Sequence, residues 1–154
     1  VNMRLDLAGY DPGQVDIPPV PEGIAFRLLE TGEEPALLAA VEDAQPAWLE
    51  FYQGCPSPIL VAVEQGQLVG FAMVPPEGGR FLGDVEKPGS LECVGVVKSH
   101  RNRGIGMGMV LAGIRWLKEQ GCGSIELRYV ALEDWYHKVG FCTFQRMWMG
   151  EKSL

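Results

Sequence analysis

The order of apolar and polar positions predicts alternating strands and helices over most of the chain. Apolar, β-branched runs predict six strands, over residues 24–29, 59–63, 68–74, 90–97, 124–130 and 141–149. Stretches of helix-forming residues predict four helices, over residues 33–41, 47–52, 104–120 and 132–138. This order is typical of an α/β domain (α+β, with a mixed sheet) whose first part is antiparallel.

Two stretches rich in proline and glycine lie outside these elements. Residues 1–22 contain four prolines and few periodic apolar positions, so they are expected to form an extended N-terminal arm or linker. Residues 23–154 are expected to form a single domain, because this length suffices for one hydrophobic core. Residues 75–89 predict a long loop, and long loops in compact domains are often functional.

The most informative stretch joins the strand over residues 90–97 to the helix that follows. Arg101 and Arg103 form a short basic segment after the strand, and Gly104 and Gly106 open the helix. Glycines let the backbone approach an anion, which the free N–H groups and the dipole of a helix N-terminus attract. The stretch therefore predicts a phosphate site to which both arginines add charge-assisted hydrogen bonds. A glycine-rich turn that serves only tight packing is the alternative.

The glycine spacing narrows the choice of phosphate ligand. No Lys-Ser/Thr pair closes the stretch, as a Walker loop requires, and Met109 stands where a dinucleotide fingerprint has its third glycine. The spacing Arg-x-x-Gly-x-Gly from Arg101 closely resembles the acetyl-CoA pyrophosphate loop of the GCN5-related N-acetyltransferase (GNAT) superfamily. Further along, residues 135–141 resemble the Tyr-x-Lys-x-Gly-Phe signature of the same superfamily.

Two positions depart from the superfamily pattern. Lys98 stands where the family usually has proline, and Tyr129 stands where most members have asparagine. The second departure resembles a branch with a short fourth helix, and some members of that branch are halves of tandem acetyltransferases. The resemblance therefore allows a homodimer or a second GNAT domain as partner.

The resemblance implies a GNAT-like acyl-CoA N-acyltransferase fold, with a central mixed sheet of about six strands and about four helices. It implies acetyl-CoA as cofactor, with the pantetheine arm facing backbone groups of Val94 and Val96. The pyrophosphate would lie against the loop that follows, at Val97, Arg101, Asn102, Arg103, Gly104, Ile105, Gly106 and Met107. Tyr136 would be the general acid that protonates the departing thiolate, since a phenol is protonated at neutral pH.

The resemblance also makes Glu92 the candidate general base, because it lies near the position where some members of the superfamily have a catalytic glutamate that acts directly or through water. Strand alternation places its side chain on the same face as Val94 and Val96, opposite Cys93. Three alternatives stay open: Glu92 as a surface carboxylate, Tyr136 as a packing residue, and Cys93 as an acyl-carrying nucleophile instead of a structural cysteine.

Composition and charge argue against several classes of function. The formal net charge of −7 argues against nucleic acid as a partner. Steering of a cationic amine substrate and solubility alone are two alternative explanations of this acidity. The four cysteines and two histidines show no metal-ligand spacing, so no metal is expected. No apolar run is long enough to span a bilayer, and the first residues do not resemble a signal peptide. We therefore expect no membrane partner and a cytoplasmic location.

The leading hypothesis is an N-acetyltransferase that moves an acetyl group from acetyl-CoA to a primary amine of a small molecule or peptide by direct attack. The alternative is a non-catalytic acyl-CoA-binding or regulatory module, such as half of a tandem GNAT protein. A dinucleotide-dependent oxidoreductase is disfavoured by the glycine spacing and the antiparallel first part. The acceptor is not specified by the sequence. Its site would be formed by Trp48, Phe51, Tyr52 and the loop over residues 75–89.

Overall fold

The computed structural model describes residues 1–15, 19–78, 88–148 and 150, which form eight strands and four α-helices. The strands are β1 (Asn2–Asp6), β2 (Ile24–Leu28), β3 (Ile59–Glu64), β4 (Gln67–Met73), β5 (Gly89–Ser90), β6 (Glu92–Val96), β7 (Ser124–Leu127) and β8 (Cys142–Gln145). The helices are α1 (Glu34–Ala44), α2 (Leu49–Tyr52), α3 (Ile105–Glu119) and α4 (Glu133–His137). All four predicted helices are confirmed, with ends that differ by a few residues.

β3 and β4 form an antiparallel hairpin that turns at Gln65 and Gly66. Both residues have positive φ angles, of 49° and 79°. A two-residue turn of this kind matches the right-handed twist of the flanking strands, which explains why the hairpin closes here.

The strands form two four-stranded sheets, in the orders β2–β3–β4–β6 and β5–β7–β1–β8. The strand predicted over residues 90–97 divides at Leu91 between them. β5 pairs parallel with β7, whereas β6 pairs antiparallel with β4. The mixed α/β architecture that the resemblance implies is therefore confirmed, with its strands divided between two sheets that separate along β6.

The N-terminal residues differ from the expected arm. β1 lies between β7 and β8 and pairs antiparallel with both, so that Met3 stands opposite Leu127 on one side and Thr143 on the other. Apolar and polar residues alternate strictly over residues 1–7, which allows one face of the strand to be buried in the core. The expectation of an extended arm over residues 1–22 is corrected, because its first part is an inner strand of a sheet.

Helices cover both faces of the sheet that contains β4. Phe71 in β4 packs edge-to-face against Tyr52 and Trp48, with ring centroids 5.2 and 6.4 Å away, on the side of α1 and α2. Gly70 faces the other way, where a Cβ atom would stand 3.5 Å from Ile105 at the start of α3. The N-terminus of α3 and the aromatic residues of α2 therefore lie on opposite faces. A ligand that reaches from one to the other must pass the edge of β6.

Three expectations fall partly outside the described residues. Residues 16–18 of the expected arm and residues 79–87 of the expected loop lie outside them. The final strand, predicted over residues 141–149, ends at Gln145, and Met149 also lies outside the described part.

Candidate functional site

The loop between β6 and α3 presents a run of free backbone donors. The N–H groups of residues 102–107 have no acceptor within the described part of the chain, and the first helical hydrogen bond runs from Gly108 to the Gly104 carbonyl at 3.1 Å. Asn102 and Gly104 are both left-handed, with φ angles of 62° and 80°. Left-handed residues turn successive N–H groups towards one side, which makes a concave anion site. The α3 dipole adds favourable potential at the same place.

The two arginine side chains of this loop contact the protein itself. Arg101 donates from Nη2 to the carbonyl of Ala44 at 2.8 Å, and from Nε to the carbonyl of Val96 at 3.3 Å. Arg103 forms an ion pair with Glu64 at 3.0 Å. Any phosphate contact of these guanidinium groups therefore competes with contacts that hold the loop against α1 and β3. The backbone N–H groups are the donors that the fold leaves available for an anion.

The edge of β6 that faces away from β4 is unpaired among the described strands. Val97 donates its N–H to the carbonyl of Val69 at 3.0 Å, and Gly95 stands opposite Phe71. Backbone groups alternate in direction along an antiparallel strand, so those of Val96 point to the unpaired edge. An extended ligand can pair with such an edge as an added strand would.

A β-bulge in β6 changes the direction of the Glu92 side chain. Gly95 pairs with Phe71, whereas Glu92 pairs with Met73, so β6 has one more residue than β4 between these two pairs. The bulge is marked by Cys93, whose φ of 49° is unfavourable for a residue other than glycine. Glu92 therefore faces the side of α1 and α2 together with Met73. The expectation that it shares a face with the two valines of the strand is wrong, because the bulge reverses the alternation.

Tyr52 and Cys93 lie together at this bulge. The Tyr52 hydroxyl donates to the Cys93 carbonyl at 2.8 Å, and burial raises the pKa of this phenol. Burial, with smaller contributions from Glu92 and Cys55, raises the pKa of the Cys93 thiol to about 11. The thiol is therefore protonated at neutral pH, which argues against an acyl-cysteine. The sequence assigns Tyr52 only to the acceptor side, since its bond to a distant strand leaves no local signal.

The phenol of Tyr136 is protonated at neutral pH. Its ring packs edge-to-face against Trp135 and Phe141, with centroid distances of 4.8 and 5.8 Å. Burial raises the pKa of the phenol to about 12, and the Cys93 thiol is close enough to add to this shift. The phenol is therefore within electrostatic range of Cys93 at the bulge of β6. The role of Tyr136 as general acid stays a prediction.

Trp135 is a site residue that the sequence analysis does not single out. Two atoms of its indole ring would lie 3.6 and 3.8 Å from a Cβ atom at Gly106, and a methyl group of Val96 would lie 3.8 Å from the same point. The indole therefore forms a wall beside the first turn of α3 and the edge of β6. Its place directly before Tyr136 in the second motif is the signal that points to it.

Within the part of the chain that the structure describes, no helix is long and apolar enough to cross a membrane. Among the same residues, no group of three or more His, Cys, Asp and Glu side chains is arranged to hold a metal ion.

The arrangement of β6, the glycine loop and α3 beside an unpaired strand edge agrees with the protein family that comparison with known proteins identifies. Residues 23–141 match the acetyltransferase (GNAT) family, and the chain belongs to this family. A mycothiol acetyltransferase from Actinosynnema mirum is 28% identical over 158 residues, which cover 93% of this chain and 51% of that protein. The chain thus spans about half the length of this curated relative.

Solved structures confirm the GNAT fold. A glucosamine N-acetyltransferase region of a fungal multi-domain β-N-acetylglucosaminidase has a TM-score of 0.74 at 25% identity, covering 93% of this chain and 19% of that chain. A GCN5-related N-acetyltransferase from Sphaerobacter thermophilus has a TM-score of 0.67 at 27% identity, covering 92% of this chain and 47% of that chain. An aminoglycoside N-acetyltransferase in complex with CoA, 18% identical, has a TM-score of 0.68 over 90% of this chain and 100% of that chain.

Proposed function

We propose that the protein is an acetyl-CoA-dependent N-acetyltransferase that acts on a primary amine of a small molecule. The observation that carries this proposal is the run of free N–H groups over residues 102–107, next to the unpaired edge of β6. These donors fit a pyrophosphate, and the strand edge fits the extended pantetheine arm that leads to the thioester. Membership of the acetyltransferase family supports the same assignment.

The proposed reaction proceeds by direct attack. Glu92 takes a proton from the ammonium form of the acceptor, and the free amine attacks the thioester carbonyl. The new N–C bond forms as negative charge moves to the carbonyl oxygen, which a backbone N–H of the strand edge stabilises. The C–S bond then breaks, and Tyr136 gives its proton to the departing thiolate. The nitrogen loses its second proton to solvent, from which Tyr136 is protonated again, and Glu92 releases the proton it took to solvent, which restores the base.

The acceptor would enter from the side of α1 and α2, since Glu92 faces that side. Phe51 is 52% exposed there, and Trp48 is partly buried against Phe71. The net charge of −7 would attract a cationic amine. Two relatives are named for small molecules, mycothiol and glucosamine, which favours a small molecule over a peptide.

The alternative is a non-catalytic acyl-CoA-binding module, such as half of a tandem protein with a second GNAT domain. The chain spans 51% of the mycothiol acetyltransferase, and Tyr129 stands in the place of the usual asparagine. In this alternative the protein binds coenzyme A but does not catalyse acetyl transfer. Binding and turnover must therefore be measured separately.

The cofactor part of the proposal is tested at Gly106. A Cβ atom there would meet Trp135 only at ordinary contact distance, so the backbone at this position accepts a Cβ atom without a clash. Gly106→Glu places a negative charge beside the free N–H groups, and Gly106→Gln has the same shape without the charge. For the unchanged protein we expect micromolar affinity for acetyl-CoA, about −8 kcal/mol. Gly106→Glu should weaken it about a hundredfold or more, and Gly106→Gln about tenfold or less.

Calorimetry on the three proteins, each with its melting temperature, measures this difference. Equal affinities of folded Gly106→Glu and Gly106→Gln would remove the loop as the pyrophosphate site.

A further inference from the structure

Ser90 is a fully buried residue that lies between two hydrogen-bond acceptors. Its Oγ stands 2.9 Å from Oε1 of Glu92 and 3.2 Å from the backbone carbonyl oxygen of Glu126. A serine hydroxyl has one proton to donate, a carbonyl oxygen only accepts, and an ionised carboxylate only accepts. The hydroxyl therefore cannot donate to both groups while Glu92 is ionised.

The two hydrogen-bond contacts of Ser90 Oγ, with Glu92 and with the Glu126 carbonyl, correspond to the two protonation states of Glu92. When Glu92 is ionised, Ser90 donates to the carboxylate in a charge-assisted hydrogen bond. When Glu92 is protonated, its own O–H can donate to Ser90 Oγ, and the Ser90 proton then turns to the Glu126 carbonyl. A rotation of one hydroxyl thus satisfies the carboxyl group before and after it takes a proton.

We propose that Ser90 is the positioning residue of the general base, holding the Glu92 carboxylate towards the acceptor side and following its protonation by rotation of the hydroxyl. This inference rests on the proposed function. Ser90 sits in β5 of one sheet and Glu92 in β6 of the other, so the hydrogen bond also joins the two sheets where they separate.

Among the described residues, the charge of Glu92 adds to the raised pKa values of Tyr52 in α2 and Cys93 in β6, and Cys55 acts on the same two groups. Tyr136 of α4 is in electrostatic contact with Cys93. Glu126 of β7, whose carbonyl accepts from Ser90, forms an ion pair with Arg4 of β1. Burial raises the pKa of Tyr52, Cys93 and Tyr136, so these three stay protonated through the neutral range. These three groups therefore do not accept a proton from a substrate near neutral pH.

The test compares Ser90→Ala with Ser124→Ala, which removes another buried serine hydroxyl, in β7. Loss of the donor to the carboxylate favours the protonated form of Glu92. In Ser90→Ala we expect the acid limb of the kcat/KM profile to move up by about half to one pH unit, with kcat about tenfold lower. The carbon-13 signal of the Glu92 carboxyl group should titrate at correspondingly higher pH. Ser124→Ala should change neither.

A double-mutant cycle separates positioning from general structure. In a Glu92→Gln background, Ser90→Ala should change kcat by less than about twofold, because Ser90 then has no base to hold. Ser90→Cys, which keeps a weak donor of similar size, should shift the acid limb less than Ser90→Ala and also serves if the alanine variant is unstable.

The role of Ser90 would be overturned if Ser90→Ala left the titration of Glu92 and the acid limb of the kcat/KM profile unchanged. It would also be overturned if the double variant lowered kcat by the full product of the two single effects. In both cases the enzyme assignment would stand. A wild-type protein without turnover would overturn the proposed function, and with it the catalytic part of this inference. The carboxyl titration measures the Ser90–Glu92 contact in either case.

Discussion

Tyr136 and Cys93 both keep their protons near neutral pH. The pKa of the phenol is raised to about 12 and that of the thiol to about 11, in each case chiefly by burial. A protonated phenol can donate to a departing thiolate, whereas a protonated thiol is a poor nucleophile. At the scale of single residues, the site therefore suits direct transfer better than a covalent acyl-cysteine.

Deleting the hydroxyl of Tyr136 tests this residue-scale account. Tyr136→Phe should lower kcat roughly ten- to a thousandfold, the scale of one general-acid contribution, and leave KM for acetyl-CoA nearly unchanged. The control is Tyr10→Phe, which removes a phenol that donates to the Val139 carbonyl at 2.7 Å. That change should cost about 1 kcal/mol of stability and leave kcat unaltered.

Turnover and melting temperature measured on both variants give the answer. If Tyr136→Phe keeps full turnover and only its melting temperature falls, Tyr136 is a packing residue and water is the proton source.

At the scale of elements, the sequence predicts the loop and the helix well and the bulge not at all. The glycine spacing is a local property, so the free N–H groups of residues 102–107 follow from it directly. The bulge arises from the register between β6 and β4, where Glu92 pairs with Met73 instead of continuing the alternation. That register is a non-local property, and one inserted residue reverses the face of every side chain beyond it.

The anchoring of the loop is likewise a contact between distant elements. Arg101 bonds to the last carbonyl of α1, and the Lys98 N–H donates to Asp43 of the same helix at 2.7 Å. The motif suggests phosphate contacts for the Arg101 side chain, because a sequence pattern does not show which acceptors the fold brings nearby. The orientation of the loop is therefore set partly by α1.

At the scale of the whole molecule, the N-terminal strand is part of the domain. β1 lies between β7 and β8, and Leu5 is only 4% exposed. The strict alternation over residues 1–7 is a strand signal, but the prolines that follow it favour the interpretation as an arm. Its partners are more than a hundred residues away, as in the pair of Met3 and Leu127, so no local turn reveals the pairing.

Matched leucine truncations test the place of this strand. Leu5→Ala should lower the free energy of unfolding by about 2–5 kcal/mol, because it leaves a cavity in a buried face. Leu132→Ala makes the same chemical change at a side chain that is 63% exposed, and it should cost less than about 0.5 kcal/mol. Urea denaturation measures both. Equal, small losses would mean that β1 lies outside the cooperative fold.

The most direct test of the central claim is the release of coenzyme A thiol from acetyl-CoA by the unchanged protein, with and without each of a panel of amines. The panel would hold amino sugars, aminoglycosides, polyamines, amino acids and a peptide amine, with mass spectrometry to identify the N-acetylated product. The proposed function predicts amine-dependent thiol release, one equivalent of N-acetyl product for each thiol, and loss of both in Gly106→Glu. Tight acetyl-CoA binding without release on any amine would contradict it and favour the binding-module alternative.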